Sequence, residues 1–268
     1  MSNPTAVKPP TGTVTLAHWL AEAPFTLTMS SGFFSFFAHC GMAWALEEHA
    51  LKPAKITGSS AGALIGCCLA SGRSAMEIRD LLLTLKPHQF WDPGWGWGLL
   101  KGERFRALVR EFIAIEQFSE CRIPLALSAY HARSRTTRVF LEGPLVDAVH
   151  ASCAVPLLLQ PARIDNRLYW DGGIADRHGL AATRLGERVF YHHIASRSPW
   201  RRRSSKALQV PERPNLQALV ISNLPRSSPR DLGNGPIALE LAYEATLQAL
   251  DTVLEGGPVE VTTGERGR

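Results

Sequence analysis

The 268-residue sequence lacks the cysteine patterns of a metal-ribbon protein or a disulfide-stapled scaffold. Its five cysteines, Cys40, Cys67, Cys68, Cys121 and Cys153, are odd in number and show neither CxxC metal spacing nor a disulfide framework. Four of them, Cys40, Cys67, Cys68 and Cys153, lie in apolar runs and read as small buried hydrophobes, which points to a reducing compartment. No cationic stretch leads into an apolar segment at the start, where Lys8, Pro9, Pro10 and Gly12 interrupt the chain, so no secretory signal is expected. There is no internal repeat, nucleotide-binding glycine loop, metal cluster, RNA-binding motif or helix-turn-helix signature. Excess charge of one sign is small: a formal +5 makes the chain mildly basic, which suits anionic surfaces without naming a partner. The expectation is a cytoplasmic protein with no metal, no cofactor and no nucleic-acid partner.

What is present fits one large, well-cored domain. Apolar residues make up 45% and charged residues 20%, close to ordinary globular usage, so disorder over most of the chain is excluded. From Phe25 to Leu46 no residue is charged, long enough to imitate a membrane span. Ser30, Ser31, Gly32, Ser35 and His39 break that run, so it reads as a buried strand, a loop and a buried helix. Strand candidates at Phe25–Met29, Ala54–Thr57, Leu125–Tyr130, Arg138–Leu141, Val189–Ile194 and Ala218–Ser222 alternate with helical stretches. The helices are expected over 37–50, 61–71, 75–85, 103–115, 145–152 and 237–254. Arg163–Trp170 reads as a hairpin turning at Asp165-Asn166. Such alternation predicts a mostly parallel sheet covered on both faces, with the site at the carboxyl ends of its strands. Residues 1–14 and 256–268, rich in Pro, Gly and Thr or polar, are expected to be loose tails around a domain spanning 15–255.

Gly58-Ser59-Ser60-Ala61-Gly62 is a G-x-S-x-G element between a short strand and a helix. A serine on such a turn has its hydroxyl lifted clear of the backbone, and the flanking glycines leave room for the neighbouring strand and helix. The Ala61 N–H and the helix N-terminus then face the place of an attacked carbonyl oxygen. A helix N-cap serine after a turn is the plainer reading of the same residues. Farther on, Asp171-Gly172-Gly173 closes the hairpin among Leu168, Tyr169 and Trp170. It is either an ordinary Asp-Gly turn or a carboxylate whose burial lifts its pKa from about 3.9 toward neutrality, as a base for serine requires.

The elbow together with Asp171-Gly172-Gly173 resembles the Ser-Asp dyad of patatin-like phospholipases. Ser30 to Gly41, leading into a helix near Leu46-Glu47-Glu48, stands where that family carries a glycine-rich oxyanion loop. The runs Ala151–Pro156 and Gly98–Phe105 also look like bacterial members, and the likeness extends from about Phe25 to Gly179 and more weakly to Asp251. The resemblance implies a three-layer α/β/α patatin-like fold and a serine hydrolase of lipid esters, of phospholipase A or lysophospholipase type. Its roles fall on Ser60 as nucleophile, Asp171 as base, and Gly32, Phe33 and Ala61 as oxyanion donors. One departure stands out: Ser30, Ser31 and Ser35 occupy positions that are glycine in the family. Positive φ at a serine would cost roughly 1–2 kcal/mol, so the loop is expected to carry strain, with Ser30 and Ser31 at the pocket edge. Two rivals remain open. One is a Ser-His-Asp triad using His178, His192 or His193; the other is a lipid- or protein-binding relative without catalysis.

Two further stretches bear on partners. His88–Trp97 is a glycine-loosened loop in which Trp91, Trp95 and Trp97 would suit a membrane interface, or would pack on the domain. Arg197–Lys206, with Trp200 and Arg201, Arg202 and Arg203, is a basic tract suited to anionic lipid at roughly 1 kcal/mol per charge, or a solvated loop. The expected partner is therefore a lipid ester substrate, with peripheral membrane contact through these residues.

Overall fold

The computed structural model describes residues 14–195, 205 and 208–264. Trp200 and Arg201–Arg203 lie outside the described residues, so the expectation for the basic tract is not addressed. The chain begins with helix α1 (Leu16–Glu22), capped by the Thr15 hydroxyl accepting from His18 N–H. Strand β1 (Thr26–Met29) leads to α2 (Phe36–Glu48), and β2 (Lys55–Ser59) to α3 (Ala61–Ser71). α3 stops where Gly72 takes a left-handed conformation, φ 97°, and returns its N–H to the Leu69 carbonyl. α4 (Ala75–Thr84) opens on a capping box between Ser74 and Glu77. After β3 (Gly98–Leu100) come α5 (Glu103–Ile113), β4 (Leu125–His131), β5 (Thr136–Phe140), α6 (Leu145–Cys153) and β6 (Leu157–Leu159). β7 (Ala162–Ile164) and β8 (Arg167–Trp170) form the expected hairpin, with Asp165 and Asn166 both at positive φ as a tight primed turn requires. The chain closes with β9 (Val189–Ile194), β10 (Leu216–Ser222), α7 (Gly235–Leu250) and β11 (Val259–Thr262).

Nine strands form one sheet in the order β11-β10-β9-β1-β2-β4-β8-β7, with β5 also on β4. β1, β2, β4, β9, β10 and β11 run parallel; β5 and β8 oppose β4, and β7 opposes β8. This is the mixed α/β fold with a mostly parallel central sheet that the alternation predicts. Parallel strands must be covered on both sides, and β1 and β9 are buried at every position. Alternation along β9 divides the interior. Phe190 and Ile194 join the main core with α2, α3, α6 and α7, whereas Val189 and Tyr191 join a smaller cluster with Leu180 and Ala218 on the opposite face. The uncharged run Phe25–Leu46 resolves into β1, a loop and α2. Among the described residues no helix is long and apolar enough to cross a membrane.

Four elements escaped the sequence pattern. α1 is a single short helix with two buried leucines, Leu16 and Leu20, too few for a visible period. β3 and β6 pair with each other in a separate two-stranded parallel sheet, Leu100 opposite Leu159, each only three residues long. β11 lies in the stretch read from composition as part of a loose tail. Instead Val259 and Val261 point into the core while Glu260 and Thr262 face out, a four-residue alternation hidden by its Gly, Pro and Thr flanks.

Candidate active site

β1 and β2 are paired in register, Met29 beside Gly58, so the chain leaves both strands at adjacent points along their carboxyl ends. β2 turns into α3 through Ser60, which sits at φ 53° and ψ −116°. A serine in that region is strained by one or more kcal/mol and is held there by its surroundings. A Cβ on Gly62 would stand 2.2 Å from the Met29 carbonyl oxygen, and one on Gly58 2.5 Å from that of Gly62. Both glycines are therefore demanded by close packing of strand, turn and helix, as the pentapeptide implies.

Asp171 arrives from the other side. β2 ends before β4 does, and β8 runs back along the vacated edge of β4, pairing Trp170 with Tyr130. The residues after β8 are thus delivered to the end of β2. Gly172 packs so closely there that a Cβ would meet the Ser128 carbonyl oxygen at 2.2 Å and Ser59 Oγ at 2.6 Å, and one on Gly173 would meet Ser31 Oγ at 2.2 Å. Asp171 is only 6% exposed. Its Oδ1 accepts the Gly173 N–H at 2.8 Å. Burial pushes its pKa up to about 6, while the neighbouring Ser60 hydroxyl, the Gly173 N–H and the Arg177 charge favour the carboxylate and limit the rise. Oδ2 makes no hydrogen bond of normal geometry in this resting arrangement. A carboxylate raised toward neutrality beside a serine hydroxyl is equipped to take a proton.

The loop after β1 closes the site. Ser30 is bound at all three of its polar groups: its N–H donates to His192 O at 3.2 Å, its Oγ accepts from Ile194 N–H at 2.9 Å, and its carbonyl accepts from His39 Nε2 at 2.8 Å. Ser31 N–H donates to Arg177 O at 2.7 Å. Both serines are buried, and neither lines the cavity, so their expected place at the pocket edge is not what is found. The expected strain does not fall on them either: the residue of this loop at positive φ is Phe34, at 55°. The Ser30 hydroxyl takes a backbone partner from β9 and the Ser31 N–H one from Arg177, which is how serine can stand where glycine was expected. Gly32 and Phe33 do line the same cavity as Ser60 and Ala61. Among the described residues the Gly32 and Phe33 N–H groups carry no hydrogen bond, and the Ala61 N–H, at the first helical position, has no partner within its helix.

That cavity opens to solvent, and its empty space is about 840 Å³ only when the open mouth is counted. Its walls are Phe34, Phe36, Leu64, Leu82, Phe105 and their like, and Ser60 supplies the hydroxyl among them. Leu100 of β3 and Leu159 of β6 close it on one side. Leu99, between Gly98 and Leu100, faces away from the cavity and is exposed, as is Leu157 at the start of β6. Trp95 is wholly exposed, at 104%, and Trp97 is 68% exposed while stacked on Trp170. Trp91 is half-buried beneath Arg230.

No histidine lines the cavity. His192 Nδ1 and His39 Nδ1 pair at 2.9 Å, and since His39 Nε2 faces the Ser30 carbonyl it must donate there, leaving His39 Nδ1 to accept. Burial holds the pKa of His39 down at about 4 and that of His192 well below the usual histidine range. His178 Nδ1 meets Tyr191 OH at 2.8 Å, and Tyr191 OH meets His193 Nδ1 at 2.7 Å. The three histidines that a triad would draw upon are thus engaged with groups of β9 and α2 and, for His193 Nε2, with the Leu208 carbonyl. Two residues that motif reading passed over touch the elbow directly: Ser152 Oγ accepts the Ser60 N–H at 2.9 Å, and Cys153 Sγ donates to Ser60 O at 3.3 Å. Their only trace in the sequence was membership of the Ala151–Pro156 run.

Comparison with known proteins bears on family and fold. Residues 27–184 match the family described as Patatin-like phospholipase. Proteins of Mycobacterium bovis and Mycobacterium tuberculosis, both named uncharacterized NTE family proteins, are 31% identical over 158 residues, 56% of this chain and 42% of theirs. The chain thus spans less than half the length of those relatives. The crystal structure of VipD from Legionella pneumophila superposes with a TM-score of 0.62 at 15% identity, covering 85% of this chain and 67% of that one, a likeness of fold. With a match over more than half its length, the chain belongs to the patatin-like phospholipase family.

Proposed function

We propose that this protein is a serine lipid acyl hydrolase that cleaves carboxylic esters of phospholipids or related lipids, in the manner of a phospholipase A or lysophospholipase. One observation carries the reading: a buried carboxylate with its pKa raised to about 6 stands beside a strained serine at an apolar cavity. In the first step Asp171 takes the proton of Ser60 Oγ as that oxygen attacks the ester carbonyl. The Gly32, Phe33 and Ala61 N–H groups receive the charge that develops on the carbonyl oxygen. Asp171 returns the proton to the departing alcohol, leaving an acyl group on Ser60. Asp171 then takes a proton from water as it attacks the acyl-enzyme, and the fatty acid leaves with Ser60 restored. The cavity accepts the acyl chain, whose hydrocarbon gains roughly 0.8 kcal/mol for each CH₂ removed from water.

Trp95, Trp97, Leu99 and Leu157, exposed at or beside the β3–β6 pair, would bring the cavity to a lipid interface. In a panel of phospholipid, lysolipid and simple ester substrates, Ser60→Ala should lower hydrolysis by ~10³–10⁶-fold. A fluorophosphonate should label the parent protein at Ser60. Unchanged turnover in Ser60→Ala, or labelling at another serine, would remove the assignment.

A further inference from the structure

The last turn of α6 holds both halves of the proposed dyad through three consecutive residues. Ser152 Oγ accepts the Ser60 N–H at 2.9 Å and donates its own proton to the Ser128 carbonyl of β4 at 2.7 Å. Cys153 Sγ donates to the Ser60 carbonyl at 3.3 Å. The Ala154 carbonyl accepts the Asp171 N–H at 2.9 Å. One short stretch of chain therefore grips the nucleophile by its N–H and its carbonyl, and the base by its N–H.

We propose that this turn is a clamp fixing the approach of Ser60 to Asp171, and that Ser152 is its positioning residue. The proposal rests on the roles given above to Ser60 and Asp171. Ser152 is fully buried, and its hydroxyl has no freedom of direction. The Ser128 carbonyl can only accept and the Ser60 N–H can only donate, so the Ser152 proton must point to Ser128 and a lone pair to Ser60. A chain of hydrogen bonds running Ser60 N–H to Ser152 O–H to Ser128 O is polarised in one direction, which strengthens each member.

The elbow needs such a holder. At φ 53° and ψ −116°, Ser60 is strained, and strain persists only where the surroundings over-determine the conformation. Without an acceptor for its N–H, the residue would relax toward ordinary backbone angles and swing Oγ away from Asp171. The clamp also turns the Ser60 N–H away from the cavity, so the elbow's donor toward an oxyanion is the Ala61 N–H alone. Ser152 is absent from the cavity wall, whereas Cys153 lines it. Ser152 thus acts through Ser60 and does not touch a substrate.

The test uses Ser152→Ala, and the pair Ser152→Thr and Ser152→Val, which match in shape and differ in the hydroxyl. Each is assayed on one soluble short-chain ester for kcat and KM, and for the rate of phosphonylation by a fluorophosphonate, with folding followed by circular dichroism and Tm. A misplacement of the nucleophile by an ångström or less should lower kcat and phosphonylation together by ~10–100-fold in Ser152→Ala, with KM within about threefold. Ser152→Thr should retain at least ~10 times the kcat of Ser152→Val, because only the former keeps the acceptor. A folded Ser152→Ala with parental kcat, or Thr and Val substitutions that are equally impaired, overturns the clamp. So does loss of fold in both Ser152→Ala and Ser152→Val while Ser152→Thr folds, which would make the hydroxyl a structural bond. Ser60→Ala is run beside them: if it retains activity, the nucleophile assignment itself has failed; if it is inactive while Ser152→Ala is normal, the clamp alone has failed.

Discussion

Asp171 and Asp176 stand five residues apart on one turn, both buried, and burial raises the pKa of each. They differ in what their oxygens meet. Asp176 has both occupied, Oδ1 accepting from Leu180 N–H at 3.0 Å and Oδ2 from Ala181 N–H at 3.1 Å. Asp171 has Gly173 N–H on Oδ1, while Oδ2 has no well-formed partner, and the Ser60 hydroxyl lies beside the carboxyl. The first carboxylate spends its acceptors on holding a loop together; the second leaves one unoccupied, as the proposed base requires. Residue type and burial do not separate them. The partner list does.

The sharpest way to break that contrast is Asp171→Asn, which should lower kcat by ~10²–10⁴-fold, the usual worth of a general base. The same substitution should stabilise the protein. A carboxyl raised from 3.8 to about 6 by folding disfavours the ionised folded state, so its cost is absent below pH 4, grows as pH rises, and is complete above about 6. At pH 8, Asp171→Asn should therefore gain up to ~3 kcal/mol in denaturant unfolding, and the gain should vanish near pH 4. A variant that is both inactive and less stable at pH 8 would contradict the assigned environment. Asp176→Ala should do the reverse. It should lose ~2–4 kcal/mol by stranding buried N–H groups, while the folded fraction keeps kcat within about threefold.

The acid limb of the parental kcat/KM profile offers a finer distinction. Activity should rise with pH through a midpoint near 6, the point at which Asp171 becomes able to accept a proton. A midpoint near 4 would mean a solvated carboxylate carries the step. The smallest effect is expected from Ser31→Gly. Ser31 is not at positive φ and its hydroxyl lies against Gly173, so the rate should stay within about threefold of parental in the same ester assay.

Much of this was legible because each element announced itself locally. The elbow residues Gly58 and Gly62 are forced by contacts with near neighbours, and α3 runs between a turn and a capping glycine, both visible in the chain. β3, β6 and α1 were not legible, since elements of three to seven residues contain too few apolar positions to show a period. The serines of the loop after β1 were read by their cost at positive φ. Their actual environment is set by Ile194, His192 and Arg177, all more than 140 residues away, and no local rule contains it. Ser152 was invisible for the same reason: its two partners, Ser60 just past β2 and Ser128 in the middle of β4, lie elsewhere in the chain.

β11 has a practical consequence of its own. A trim at residue 255, which composition alone would invite, removes the neighbour of β10. That strand has five consecutive buried residues and would then present a bare row of N–H and C=O groups at the sheet margin. Such a margin is a template for other chains. β11 thus guards the sheet margin against aggregation, and a version lacking it would be expected to precipitate for reasons unconnected with Ser60.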